Sequence, residues 1–266
     1  MVADSWQPGQ VEVTGGYLAY HRTGGPGPAL VLSHGLTDSG LCWFRLATAL
    51  APDFDLIMLD ARGHGQSARM PVDQPHDPGR DIAEAIEKLG LTAPIVMGHS
   101  VGARATADYA AAYSYRAAKV ILEDPPFLPP AEPAAAEKRR TRFGEQVQNF
   151  QSMTDAELIA MGKATSPLWH DDDFPAWAAA KRQVDPRAMP DYARPWQESL
   201  AAITAPTLLI HGDPKLGGLV TPDIAGEVAA INSRIELVQI EGAGHNTRRE
   251  NFSEVLAAVR GFLGAG

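Results

Sequence analysis

Ser100 lies in Gly98-His99-Ser100-Val101-Gly102, directly after the apolar run Ala93-Pro94-Ile95-Val96-Met97 and directly before the helix-compatible stretch Ala103-Arg104-Ala105-Thr106-Ala107. A hydroxyl between glycines at a strand-to-helix corner is set up for nucleophilic attack. The glycines allow a strained turn that lifts the serine oxygen clear of the sheet, and the first amides of the helix then face whatever the serine attacks. Serine is a weak nucleophile by itself. It requires a base within hydrogen-bond reach and a third group to orient that base. Among eight histidines, His245 is the best-placed base, because it follows the last predicted strand in Glu241-Gly242-Ala243-Gly244-His245-Asn246. That glycine-rich turn lets a ring lean over a neighbouring strand end. His21, His76 and His170 read as surface histidines on a hairpin, in a loop and in an inserted segment, and His211 as a packed neighbour at a strand end.

A negative charge develops on the carbonyl oxygen during such an attack and needs backbone donors. Ser33-His34-Gly35-Leu36 follows another predicted strand, and its sharp turn can aim the Leu36 N–H at that oxygen. The Val101 N–H, directly after the nucleophile, would be its partner.

The elements that must hold these residues follow from hydrophobic patterning. Predicted strands run over 11–13, 18–22, 29–33, 56–60, 95–97, 120–123, 207–211 and 235–240, with helices near 43–50, 81–89, 103–113, 224–230 and 252–263. Gly15-Gly16 marks a hairpin between the first two strands. The later strand–helix alternation predicts a largely parallel sheet covered on both faces, which places its chemistry at the carboxyl ends of the strands. From about Phe127 to Ile203 the rhythm breaks. A proline-rich entry leads into a helical stretch and a concentration of Phe150, Met153, Met161, Trp169, Phe174, Trp177, Met189 and Trp196. We read 127–203 as a helical cap inserted into a core formed by 1–126 and 204–266. Most of its large side chains serve a small satellite core, and Trp169, Trp177 and Trp196, with Trp43 from the sheet portion, are candidates to line an apolar substrate pocket.

Composition narrows the function classes. With 266 residues, 23 basic and 32 acidic, and a net charge of −9, the chain lacks the basic excess of a nucleic-acid binder. The single cysteine, Cys42, excludes an internal disulfide and a cysteine-rich metal site. Neither a signal-peptide pattern nor a membrane-length apolar run is visible, so a cytoplasmic enzyme with no membrane partner is expected. A homodimer is compatible with the sequence.

The order of His34-Gly35, Asp60-x-Arg62-Gly63-His64-Gly65-x-Ser67, Gly98-x-Ser100-x-Gly102 and Gly244-His245 resembles the α/β-hydrolase superfamily over essentially the whole chain outside the insertion. The resemblance implies an eight-stranded, mostly parallel sheet with helices on both faces, a serine–histidine–acid triad and no cofactor. It implies a structural role for the turn containing Arg62 and His64. In most relatives the acid follows the seventh strand, but here that stretch reads His211-Gly212-Asp213-Pro214-Lys215, with lysine at the expected carboxylate position and Asp213 two residues early. Some members carry their acid after the sixth strand, where Val120-Ile121-Leu122-Glu123-Asp124-Pro125 puts Asp124 at a strand tip. Asp124 is favoured, with Asp213 as the alternative. The expected activity is hydrolysis of a small or medium apolar carboxylic ester or lactone through an acyl-enzyme. A carbon–carbon bond hydrolase acting on a vinylogous diketone is weakened by Asn246, where such enzymes usually carry tryptophan after the histidine. A non-catalytic ligand-binding member of the fold would have no need of all three triad groups.

Overall fold

The computed structural model describes residues 6–72, 76–113, 116–191 and 194–264. Eight strands form one sheet in the order β1-β2-β4-β3-β5-β6-β7-β8. They are β1 (Gln7–Val13), β2 (Gly16–Arg22), β3 (Ala29–Ser33), β4 (Asp55–Leu59), β5 (Ile95–His99), β6 (Lys119–Glu123), β7 (Thr207–His211) and β8 (Ile235–Gln239). The hairpin β1–β2 and the β2–β4 pair are antiparallel; from β4 onward every pairing is parallel. The hairpin turns on Gly15 and Gly16, both at positive φ. β1 starts at Gln7, earlier than the apolar pattern predicts, since pairing with β2 down to Arg22 recruits polar residues. Pro8 is tolerated there because β1 is an edge strand with one side unpaired.

The helices are α1 (Phe44–Leu50), α2 (Pro78–Lys88), α3 (Val101–Ala112), α4 (Pro133–Ser152), α5 (Asp155–Thr165), α6 (Asp173–Arg182), α7 (Trp196–Ala202), α8 (Pro222–Ile231), α9 (Thr247–Glu250) and α10 (Phe252–Leu263). Their starts obey local rules. Asp77 accepts from the Arg80 amide ahead of Pro78, and Thr154 with Glu157 forms a reciprocal capping box on α5.

Strand alternation sorts side chains between two apolar layers. Val31, Ile57, Val96, Val120 and Leu209 face one side, with α2, α3 and α7 residues such as Ile82, Tyr109 and Leu200. Leu30, Leu32, Met58, Met97 and Ile210 face the other, with Leu46 and Val259. Between β6 and β7 the described residues form four helices. α4, α5 and α6 build a satellite cluster around Phe150, Leu158, Phe174 and Trp177. α7 instead packs with the main layer through Trp196 and Leu200, so the insertion's own core ends before it. Among the described residues, no helix is long and apolar enough to cross a membrane.

Candidate active site

Three groups from distant parts of the chain meet at the carboxyl ends of β5, β6 and β8. His245 Nε2 lies 3.0 Å from Ser100 Oγ, and His245 Nδ1 lies 2.6 Å from Asp124 Oδ2. A carboxylate only accepts, so Nδ1 carries the hydrogen and Nε2 presents its lone pair to the serine hydroxyl. Side-chain exposure falls from 28 % at His245 to zero at Asp124, so the carboxylate is cut off from solvent.

Local sequence explains each placement. Ser100 sits at φ 55° and ψ −124°, a costly backbone for a residue with a Cβ. The corner is held by the Ser100 amide donating to the Glu123 carbonyl at 2.8 Å. A Cβ on Gly98 would run into the Gly102 carbonyl, and one on Gly102 would strike the Ser33 and His34 carbonyls, which is why both must be glycine. Asp124 is also at positive φ, 42°, and its carboxylate accepts from the Leu219 amide at 2.9 Å and the Val220 amide at 3.3 Å. His245 rides a turn in which the Gly244 amide donates to the Glu250 carboxylate. His99 Nε2 lies 3.1 Å from the His245 carbonyl and donates to it, pinning the backbone of that turn. Burial, then the nearby Arg248 and His245, push the His99 imidazole well below its ordinary pKa, so it stays neutral.

Asp213 has another occupation. Its carboxylate accepts from the Lys215 amide at 2.8 Å and caps a short 3-10 turn over Pro214–Leu216. His211 Nδ1 lies against the Gly212 carbonyl at 3.1 Å.

Leu36 and Val101 flank the serine from two elements. Val101 opens α3, and neither its amide nor that of Leu36 donates to a backbone carbonyl among the described residues. A Cβ on Gly35 would come 3.5 Å from Ser100 Cβ, which places the Leu36 loop against the nucleophile. The loop is anchored from behind. His64 Nε2 meets the Leu36 carbonyl at 2.5 Å, and His34 Nε2 accepts from the Ala61 amide at 3.0 Å. Arg62 forks onto Asp81 with two bonds of 3.0 Å and reaches the Thr14 and Gly15 carbonyls, the structural role expected of that turn.

The four tryptophans lie elsewhere. Trp43 is fully buried, with the Arg248 guanidinium 4.1 Å above its ring. Trp196 stacks on Phe127 at 4.6 Å within the main apolar layer. Trp177 belongs to the satellite cluster, and Trp169 packs against it under Arg249, 4.4 Å from its ring. A cavity of about 380 Å³ lies between α4 and the loop after β3, lined by Leu36, Arg139, Arg142, Phe143, Gln146 and Met189. None of these four tryptophans is among its walls: Trp43 and Trp196 are packed in the two main apolar layers, and Trp177 and Trp169 in the satellite cluster. A larger recess, about 740 Å³, is walled by β1 and α2 residues and by Tyr113, at the end of α3 opposite Ser100.

A buried charged layer, missed in the sequence, underlies the site. Glu123, next to Asp124, accepts from Thr247 Oγ1 at 2.7 Å, the Arg248 amide at 3.0 Å and Arg248 Nη1 at 2.9 Å. Asp38 Oδ2 pairs with Arg249 Nη2 at 3.0 Å, and Lys181 Nζ from α6 reaches Asp38 Oδ1 at 3.4 Å and Thr37 Oγ1 at 2.6 Å. Burial alone would raise the Asp38 carboxyl, but Arg249, Lys181 and Arg248 hold it well below the usual carboxylate range. The only signal in the sequence was the pair Arg248-Arg249 three and four residues after His245.

Residues 28–248 match the family model described as the alpha/beta hydrolase fold. The chain belongs to the α/β-hydrolase family, and it is an enzyme of the hydrolase class. Among curated proteins it is 28 % identical to N-formylmaleamate deformylase of Pseudomonas putida over 262 residues, covering 96 % of each chain. It is 25 % identical to 2-(acetamidomethylene)succinate hydrolase of Mesorhizobium japonicum, covering 92 % of this chain and 91 % of that one. The crystal structure of an E-2-(acetamidomethylene)succinate hydrolase superposes with a TM-score of 0.77 at 22 % identity, covering 98 % of this chain and all of the other. That last likeness speaks to the fold.

Proposed function

We propose that the protein cleaves a carboxylic acyl bond by serine catalysis, with Ser100 as nucleophile, His245 as general base and acid, and Asp124 as the orienting acid. The observation that carries this is the unbroken hydrogen-bonded chain Ser100–His245–Asp124 at the strand ends. Ser100 Oγ adds to the substrate carbonyl carbon while its proton passes to His245 Nε2, and Asp124 stabilises the imidazolium. The amides of Leu36 and Val101 receive the oxyanion. Collapse expels the leaving group, which takes the proton from His245. Water then gives a proton to the same nitrogen as its oxygen adds to the acyl carbon, and collapse releases the acid while Ser100 Oγ takes that proton back from His245.

An ester, a lactone among them, is the simplest substrate of this chemistry. A small N-acyl amide is the second reading, favoured because two relatives that align along nearly their full length are named for substrates bearing an N-formyl and an acetamido group. The two readings share every residue above and differ in the leaving atom. The test is modification by a fluorophosphonate followed by peptide mass mapping, beside hydrolysis of 4-nitrophenyl acetate and a panel of N-formyl and N-acetyl amides. The expected result is a label on Ser100 and turnover that Ser100→Ala and His245→Ala lower by about 10³-fold or more. Near-normal turnover in His245→Ala sinks the mechanism.

A further inference from the structure

α4 presents two arginines, Arg139 and Arg142, to the cavity beside Leu36. Spaced i, i+3, they share one face of the helix, where like charges repel. Neither forms an ion pair among the described residues, and Arg139 Nε is buried with no hydrogen-bond partner. Their neighbours behave differently. Arg140 is held by Glu137 and Asp191, Arg182 by Asp155 and Arg187 by Asp185. These two guanidiniums thus face one cavity without an acidic partner among the described residues, in a chain with 32 acidic residues against 23 basic ones. Among the described residues no carboxylate lines that cavity; its other walls are Leu36, Phe143, Met189 and the neutral amide of Gln146.

The buried Arg139 Nε has given up water without gaining an acceptor, which favours an anion that supplies one, and the exposed Arg142 adds a second positive charge at the cavity. Arginine's planar fork matches a carboxylate with two parallel hydrogen bonds. The cavity, about 380 Å³, suits a short acid rather than a long acyl chain. Leu36, whose amide is one of the two proposed oxyanion donors, is itself a wall of the cavity, and the preceding Gly35 lies against Ser100, so cavity and nucleophile share one loop.

We propose that Arg139 and Arg142 form a carboxylate-binding subsite, so that the substrate is a short anionic acyl compound held by its charged end while Ser100 attacks its carbonyl. This rests on the hydrolytic reading above and replaces the expectation of an apolar substrate.

The experiment compares two probes that differ by one charge, 4-nitrophenyl hydrogen adipate and methyl 4-nitrophenyl adipate. It uses the wild type, Arg139→Gln/Arg142→Gln, and Arg140→Gln as a control for general surface charge. The wild type should favour the acid in kcat/KM by about 10- to 100-fold. The double variant should lose that preference through the acid alone, with the neutral diester unchanged, and Arg140→Gln should keep it. In parallel, Ser100→Ala is titrated calorimetrically with succinate and with inorganic phosphate. Succinate should bind, and binding should vanish when both arginines are replaced. Equal or better use of the neutral diester, a preference that survives in the double variant, or tighter binding of phosphate than of succinate would each overturn the carboxylate assignment while leaving ester hydrolysis intact. Succinate binding without turnover of either probe would support the subsite and count against the hydrolytic reading instead.

Discussion

Asp124 and Asp213 stand just beyond the ends of adjacent parallel strands, yet only Asp124 meets the imidazole. The difference is backbone. Asp124 takes a positive φ that turns its carboxylate toward His245 and into the donors of Leu219 and Val220, whereas Asp213 is committed to capping the Lys215 amide. We expect Asp124→Asn to lower kcat by about 10³- to 10⁴-fold, because an amide in place of the carboxylate favours the wrong imidazole tautomer. Asp213→Asn should retain most of the activity. Steady-state rates of the two variants on one ester decide this, and a collapse of the Asp213 variant would reverse the assignment.

At the scale of elements, β6 and α9 are clamped together directly behind the site. Glu123 ends β6 with its backbone carbonyl holding the Ser100 amide and its carboxylate holding Thr247 and Arg248, so one residue couples the nucleophile corner to the histidine loop. The carboxylate is fully buried and its ion pair with Arg248 is 97 % or more out of solvent on both sides. Breaking such a pair leaves an uncompensated buried charge, so Glu123→Gln should cost about 3–5 kcal/mol in urea unfolding. It should also reduce kcat more than KM, since His245 loses its anchor and the cavity does not. An unchanged unfolding midpoint would show that the clamp carries no weight. Lys181 extends the same layer into α6, tying the inserted helices to the loop after β3 through Thr37 and Asp38.

The whole molecule should lose stability in mild acid. Burial pushes His34 and His99 below their ordinary pKa, and burial followed by the neighbouring His34 brings His64 from 6.5 down to about 4. Between about pH 6.5 and 4 the unfolded chain therefore binds protons that the native fold refuses, and stability falls as pH falls. For His64 alone the gap corresponds to roughly 3 kcal/mol, fully present above its unfolded value. Asp38 acts in the same direction at lower pH, its ionised form being stabilised by Arg249, Lys181 and Arg248. Urea midpoints measured from pH 7.5 to 4.5 should decline steadily, and His64→Gln should flatten part of the slope. A midpoint independent of pH across this range would contradict the buried neutral state of these rings.

Local pattern was enough to reveal the parallel sheet, the glycine corner and the histidine after the last strand. Each depends on short-range rules: alternation within a strand, steric exclusion of a Cβ, a turn between two elements. The acid was narrowed to two residues by the resemblance to the α/β-hydrolases, which places it after the sixth or the seventh strand. The choice between them needed the fold, since a positive φ and three donors converging from 95 to 121 residues away leave no trace in the neighbouring sequence. The same holds for the tryptophans, whose aromatic character says that they will be buried but not against what. It holds again for the arginines. Within α4 Arg139 and Arg140 are equivalent in charge and propensity, and only the packing of that helix over the Leu36 loop sends one into the cavity and the other to Glu137 and Asp191.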